Sequence, residues 1–196
     1  TDTVRFSAAL FAVLACGREP VLLPNNLPGT LKNFKAEYDA VLTETTELES
    51  HKTDLPQTLN PNQAISIFTS GSTGEPKKIT RTLGQLNAEI NALEALFTTK
   101  MATSDIYSTV SHQHIYGLIF TVLWPLAASR TAHVPMLEYP EQLETLLKQN
   151  PSITLISSPA FLSRLNDTVI KTQGFTVFSS GSLLQSEAAM HVYNSF

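Results

Sequence analysis

Residues 64–79 hold the densest chemistry in the chain. An apolar run at Ala64, Ile65, Ile67 and Phe68 breaks into six consecutive Thr, Ser and Gly residues: Thr69, Ser70, Gly71, Ser72, Thr73 and Gly74. Glu75, Pro76, Lys77 and Lys78 follow. The run predicts a strand and the break predicts a loop. Glycines let backbone N–H groups converge on one point, hydroxyls add donors, and lysine supplies positive charge, so the natural guest is a polyanion. Walker spacing is excluded: counted from Gly71, Pro76 stands where the second glycine belongs. Residues 78–82 are β-prone, so the loop is expected to join two strands, with its own amides and hydroxyls as the anion-binding device.

Two further constellations lie downstream. Ser111, His112, Gln113, His114, Ile115, Tyr116 and Gly117 precede an apolar segment. Two histidines at i and i+2 share a face if extended, but no third metal ligand accompanies them, and the residues alone also read as a polar loop capping a buried helix. Phe178, Ser179, Ser180, Gly181, Ser182, Leu183 and Leu184 describe a strand, a small-residue turn and a helix start, which taken alone is a commonplace connection. His51, His133 and His191 stand alone and read as ordinary surface or partly buried residues, and Trp124 reads as core.

The elements that must position these groups alternate. Residues 4–15 predict a buried helix ended by Gly17, 20–24 a strand, 28–38 a helix and 40–42 a strand; the polar stretch 43–62, with Pro56 and Pro61, is a surface connection. Beyond the loop, residues 83–97 predict a helix with Leu86, Ile90, Leu93 and Leu96 or Phe97 on one buried stripe. A strand over 106–110, a buried helix after Tyr116, a strand over 131–136, a helix over 140–149, a strand over 153–156, a short helix over 159–165 and a strand over 175–178 complete the pattern. The fold class expected is α/β, a largely parallel β-sheet flanked by helices. Leu184, Ala188, Val192 and Phe196 predict a last helix without a capping glycine or trailing proline, the mark of an excised piece.

With 196 residues, 42% of them hydrophobic and 15% charged, the chain can build one sizeable core. Thirteen basic against seventeen acidic residues, for a net charge of −4, argue against a nucleic-acid partner. A lone Cys16 points to a reducing compartment and is expected in the core. No signal peptide is evident, and the longest apolar run, 115–128, is too short and too broken by Gly117 and Pro125 to span a bilayer, so a cytoplasmic protein without a membrane span is expected.

The segment from Thr69 to Lys78 resembles the phosphate-loop signature of the adenylate-forming superfamily, which includes acyl- and aryl-CoA synthetases, luciferases and peptide-synthetase adenylation domains. By that resemblance Lys77 is the signature lysine, and Lys78 stands where glycine is common. His114, Ile115, Tyr116 and Gly117 resemble the acyl-binding motif of the same superfamily. Ser180, Gly181, Ser182 and Leu183 resemble its turn between acyl pocket and adenine, with serine for a usual glycine and leucine for a usual proline. The resemblance covers residues 69–184, and residues 1–62 match loosely. The Glu75-to-Ile79 ending is closer to bacterial AMP-ligases of fatty-acid-like or polyene pathways than to luciferases.

The resemblance implies the following. Residues 1–62 are an N-terminal α/β segment with a surface connection, and 63–196 the phosphate-loop and acyl-pocket segment of the same large domain, the C-terminal domain being absent. A carboxylate attacks the α-phosphate of ATP, pyrophosphate leaves, and the acyl-adenylate passes to a thiol of CoA or of a carrier protein's phosphopantetheine. Thr69, Ser70, Gly71, Ser72, Thr73, Gly74 and Lys77 hold phosphates, with Mg²⁺ bound largely by the absent part. His114 orients the carboxylate, and Tyr116, Gly117, Ser180, Gly181, Ser182 and Leu183 line the acyl and adenine pocket. The excised piece itself is expected to be inactive. The other reading is a non-catalytic nucleotide-binding or docking module of the same descent.

Overall fold

The computed structural model describes residues 2–43, 46, 56, 58–69, 76–101, 104–165, 172 and 174–196. They divide into two compact units, Thr1–Glu89 with Gln113–Ile115, and Ile90–His112 with Tyr116–Phe196.

In the first unit α1 (Thr3–Ala15) starts where the Asp2 carboxylate accepts the N–H groups of Val4 at 2.8 Å and Arg5 at 3.2 Å, satisfying donors that the first turn leaves open. Its inward stripe is Leu10 and Leu14, one helical turn apart. Cys16, expected in the core, is exposed. Two residues beyond Leu14 the helix has turned by about 200°, which carries the thiol to the solvent side.

A three-stranded sheet follows, in the order β1 (Val21–Leu22), β2 (Ala64–Thr69), β3 (Lys77–Thr82). β1 runs parallel to β2, and β3 antiparallel to it. The buried Ser66 hydroxyl is bonded to Glu19 at 2.5 Å and to the Thr80 hydroxyl at 2.7 Å, so the polar group inside β2 has its partners. The helix expected over 28–38 divides into α2 (Pro28–Asn33) and a 3₁₀ turn (Lys35–Glu37) at Phe34, whose φ of −101° and ψ of 15° leave the helical range. Residues 40–42 form no strand; Val41 and Leu42 are exposed and bury no face that would favour one.

α3 (Leu83–Met101) starts in the first unit and continues into the second. Leu86 and Ile90 are buried as expected, whereas Leu96 is exposed and Phe97 turns inward. The second unit is built on three parallel strands, β4 (Asp105–Ser108), β5 (Ile153–Ser157) and β6 (Thr176–Ser179), with β5 in the middle and buried throughout. Alternation sorts its two faces. Tyr107, Leu155 and Val177 lie in one row and pack with Leu143, Leu147, Phe161 and Leu162 of α6 (Pro140–Gln149) and α7 (Pro159–Leu162). Ile156 and Phe178 face the other side, where the Phe178 ring meets those of Phe97, Phe120 and Trp124 at 5.0, 5.2 and 5.6 Å.

The strand expected over 131–136 is reduced to one bridge, Ala132 to Ile106. Pro135 lacks the N–H that would extend the ladder. The buried helix after Tyr116 is present as α4 (Ile115–Gly117), a π-helical stretch (Leu118–Leu123) and α5 (Trp124–Ala127). Pro125 removes an i→i−4 donor, and the wider turn lies just before it. The short helix expected over 159–165 stops at Leu162, and α8 (Ser186–Ser195) is the last element. Among the described residues no helix is long and apolar enough to cross a membrane.

Candidate active site

The first unit carries the base of the candidate phosphate loop. β2 and β3 form a hairpin closed by Thr69 opposite Lys77, whose backbone carbonyl accepts the Thr69 hydroxyl at 3.4 Å. The loop does join two strands. Ser70, Gly71, Ser72, Thr73 and Gly74 lie outside the described residues. Along β3 successive side chains alternate faces, so the two lysines part company. Lys78, opposite Phe68, is held by the Glu37 carboxylate at 2.9 Å. Lys77 is exposed on the other face and makes no ion pair among the described residues. An ammonium with no such pair among the described residues can receive an anion. His114 belongs to the same unit and its side chain is exposed.

In the second unit the other residues gather at the C-terminal ends of parallel strands, where open α/β sheets place their ligands. β4, β5 and β6 all end on serine, at Ser108, Ser157 and Ser179. The hydroxyls of Thr109 and Ser157 lie 2.9 Å apart, and the Ser180 N–H donates to the Ser157 carbonyl at 3.4 Å. Ser180, Gly181, Ser182 and Leu183 then leave β6, all four exposed to solvent, with Leu183 79% exposed. Gly181 has φ +108°, a backbone that side chains rarely adopt, and no atom stands within 4 Å of where its Cβ would be. A ligand can approach that backbone closely.

Tyr116 and Gly117 sit at the start of the helix behind this edge. A Cβ on Gly117 would meet the Ser111 carbonyl, so the missing side chain is what lets the 111–112 loop lie on the helix. The Tyr116 ring packs on Phe120 at 4.8 Å. Its hydroxyl is buried and makes no hydrogen bond of good geometry, and burial raises the phenol well above its ordinary pKa, offset only in part by the nearby Ser157 backbone. The phenol therefore stays a neutral donor.

The aromatic group beneath is pinned by charge. Glu94 accepts from the Arg130 guanidinium at 2.7 Å and from the Trp124 indole N–H at 2.7 Å. The Arg130 hydrogen bonds, helped by Thr98 and Trp124 against the opposing effect of burial, lower the Glu94 carboxyl to about 2. At the far end of β4, Asp105 bonds His133 at 2.7 Å, and the His133 ring stacks on Tyr107 at 4.2 Å. Burial, then the Asp105 charge, raises the Tyr107 phenol. His112 and His114 share no metal cluster: no group of three His, Cys, Asp or Glu side chains able to hold a metal occurs among the described residues.

The family described as AMP-binding enzyme matches residues 4–193. The chain belongs to that family. A probable CoA ligase from Humulus lupulus is 31% identical over 81 residues, 41% of this chain and 13% of that protein. O-succinylbenzoate coenzyme A synthetase from Bacillus subtilis, in complex with AMP, superposes with a TM-score of 0.78 at 13% identity, covering 99% of this chain and 56% of that one. The same enzyme in complex with ATP and magnesium ion gives a TM-score of 0.71 at 15% identity, over 94% of this chain and 56% of that one. The fold of this AMP-binding chain is thus that of the adenylate-forming superfamily, and it spans about half the length of these structural relatives and a smaller share of the plant ligase.

Three residues with clear roles in this AMP-binding chain escaped the sequence reading. Glu37 lies far from Lys78 in sequence, and Glu94 and Arg130 were unremarkable charges on a surface helix and in a loop. No local signal marks such long-range pairs.

Proposed function

We propose that the protein carrying this chain is an AMP-forming acid–thiol ligase. It activates a carboxylic acid with ATP to an acyl-adenylate, releasing pyrophosphate, for transfer to CoA or to a carrier-protein phosphopantetheine. The observation that carries the reading is the Lys77 ammonium, free of any ion pair among the described residues, at the mouth of the Thr69 loop in a chain of the AMP-binding family.

In this reading Lys77 and the loop's hydroxyls and amides hold the β and γ phosphates, so that charge gathering on pyrophosphate is stabilised as the α-phosphate bond breaks. His114, exposed ahead of α4, orients the attacking carboxylate as a positioned hydrogen-bond donor, since a carboxylate needs no deprotonation. Gly181 lets the adenylate pass close to the backbone, and Tyr116 closes the acyl side. Mg²⁺, when bound with the nucleotide, supplies further neutralisation of phosphate charge.

The test is acid-dependent ATP–pyrophosphate exchange by the full-length protein, screened over carboxylic acids. Lys77→Ala and His114→Ala are each expected to lower exchange at least about tenfold, roughly 1.4 kcal/mol of transition-state stabilisation. Unchanged exchange in both variants overturns the assignment. Nucleotide binding without exchange on any acid would favour the non-catalytic module instead.

A further inference from the structure

The hairpin that presents the candidate phosphate loop is gripped from one side by a turn far upstream in sequence. Phe34, the residue closing α2, sets its ring edge-on to Phe68 with centroids 4.5 Å apart. Glu37, the last residue of the 3₁₀ turn, holds Lys78 at 2.9 Å. Phe68 and Lys78 are cross-strand partners, one step inside the closing pair Thr69 and Lys77. Both contacts therefore land on the same rung, one from each strand, immediately below the loop. The turn is itself braced: the Tyr38 hydroxyl donates to the Leu31 carbonyl at 2.8 Å, and the Lys35 ammonium lies 4.9 Å from the Tyr38 ring centroid.

An ion pair with side chains 39% and 37% exposed adds little to global stability. Its use is geometric. Lys78 reaches to the face opposite Lys77, so tethering it fixes the start of β3 without crowding the loop with a second free cation. On the ligase reading Lys77 meets the phosphates in the bound nucleotide as well as in the transition state, so displacing it by about an ångström weakens nucleotide binding and is read in KM rather than kcat.

We propose that residues 34–37 form a clamp on the loop's base, with Glu37 and Lys78 as positioning residues that hold Lys77 in register for phosphate. The lysine doublet then divides its labour: Lys77 grips the nucleotide and Lys78 anchors the strand. This inference rests on the ligase reading.

The experiment is MgATP-dependent pyrophosphate exchange by the full-length protein, with KM and kcat measured separately. Glu37→Gln and Lys78→Met should each raise KM for ATP about threefold or more, leave kcat within about twofold, and in combination do no more than either alone. Lys78→Arg, which keeps the ion pair, should retain the parent KM. The apparent Tm of these variants should move by no more than about 2 °C, the scale for an exposed pair. If Lys78 instead touched phosphate, Lys78→Met would weaken ATP while Glu37→Gln, by freeing that lysine, would tighten it; opposite signs overturn the clamp, as does an unchanged KM in both. Lys77→Ala run alongside separates the two levels. No exchange by the parent on any acid removes the ligase reading, and intact exchange in Lys77→Ala removes Lys77 from the phosphate site and the clamp with it, whereas a loss in Lys77→Ala with unaltered KM in the Glu37 and Lys78 variants removes the clamp alone.

Discussion

A Cβ added to Gly117 would lie 2.0 Å from the Ser111 carbonyl oxygen and 2.7 Å from its carbon. Both atoms are backbone, so no side chain can swing away to make room. Gly117→Ala must therefore part the 111–112 loop from the start of the helix. We expect a loss of about 2–3 kcal/mol, the upper range for overpacking a close contact. Gly181→Ala meets open space but is strained at φ +108°, with an expected cost of about 1–2 kcal/mol. Urea unfolding midpoints check both, and a Gly181→Ala variant more destabilised than Gly117→Ala would contradict the ranking.

Glu94 makes stability depend on acid. Its folded carboxyl sits at about 2 against an ordinary 4.5, held down first by the Arg130 hydrogen bonds. A lowered folded value means that the contribution is fully present above pH 4.5 and is lost as pH falls from there toward 2. The side chain is 34% exposed, so solvent screening keeps the gain to about 1 kcal/mol. Glu94→Gln should be less stable than the parent at neutral pH, with the gap closing in acid. A gap that widened below pH 4 would refute the assignment.

Tyr116 offers a contrast between folding and function. Its hydroxyl is buried without a well-formed hydrogen bond, so Tyr116→Phe removes a polar group that has gained nothing in the fold. The variant should be as stable as the parent or up to about 1 kcal/mol more stable. The raised phenol should also be missing from the alkaline absorbance step at ordinary tyrosine pH. A marked destabilisation by Tyr116→Phe would show that the hydroxyl is satisfied in solution.

Much of this was readable along the chain because it depends on neighbours. The strand before Thr69, the helix stripe at Leu86 and Ile90, and the serine-glycine turn at 180–182 follow from periods of two and 3.6 and from backbone preference at glycine. The same locality misled where context ruled. Cys16 is apolar in type yet faces water because it lies about 200° round the helix from Leu14, and 131–136 is β-prone yet gives one bridge because Pro135 cannot donate.

By itself, then, the sequence determined the order of elements, the family through its ordered motifs at Thr69, His114 and Gly181, and the hairpin that carries Lys77. Only the tertiary structure decided which lysine of the doublet is held by Glu37, that Glu94 ties Trp124 to Arg130, and that Gly117 is required by the Ser111 carbonyl. The reason is physical. Periodicity and propensity act over a few bonds, whereas neutralising a charge or filling the space of a missing Cβ depends on groups that the fold alone brings within a few ångströms.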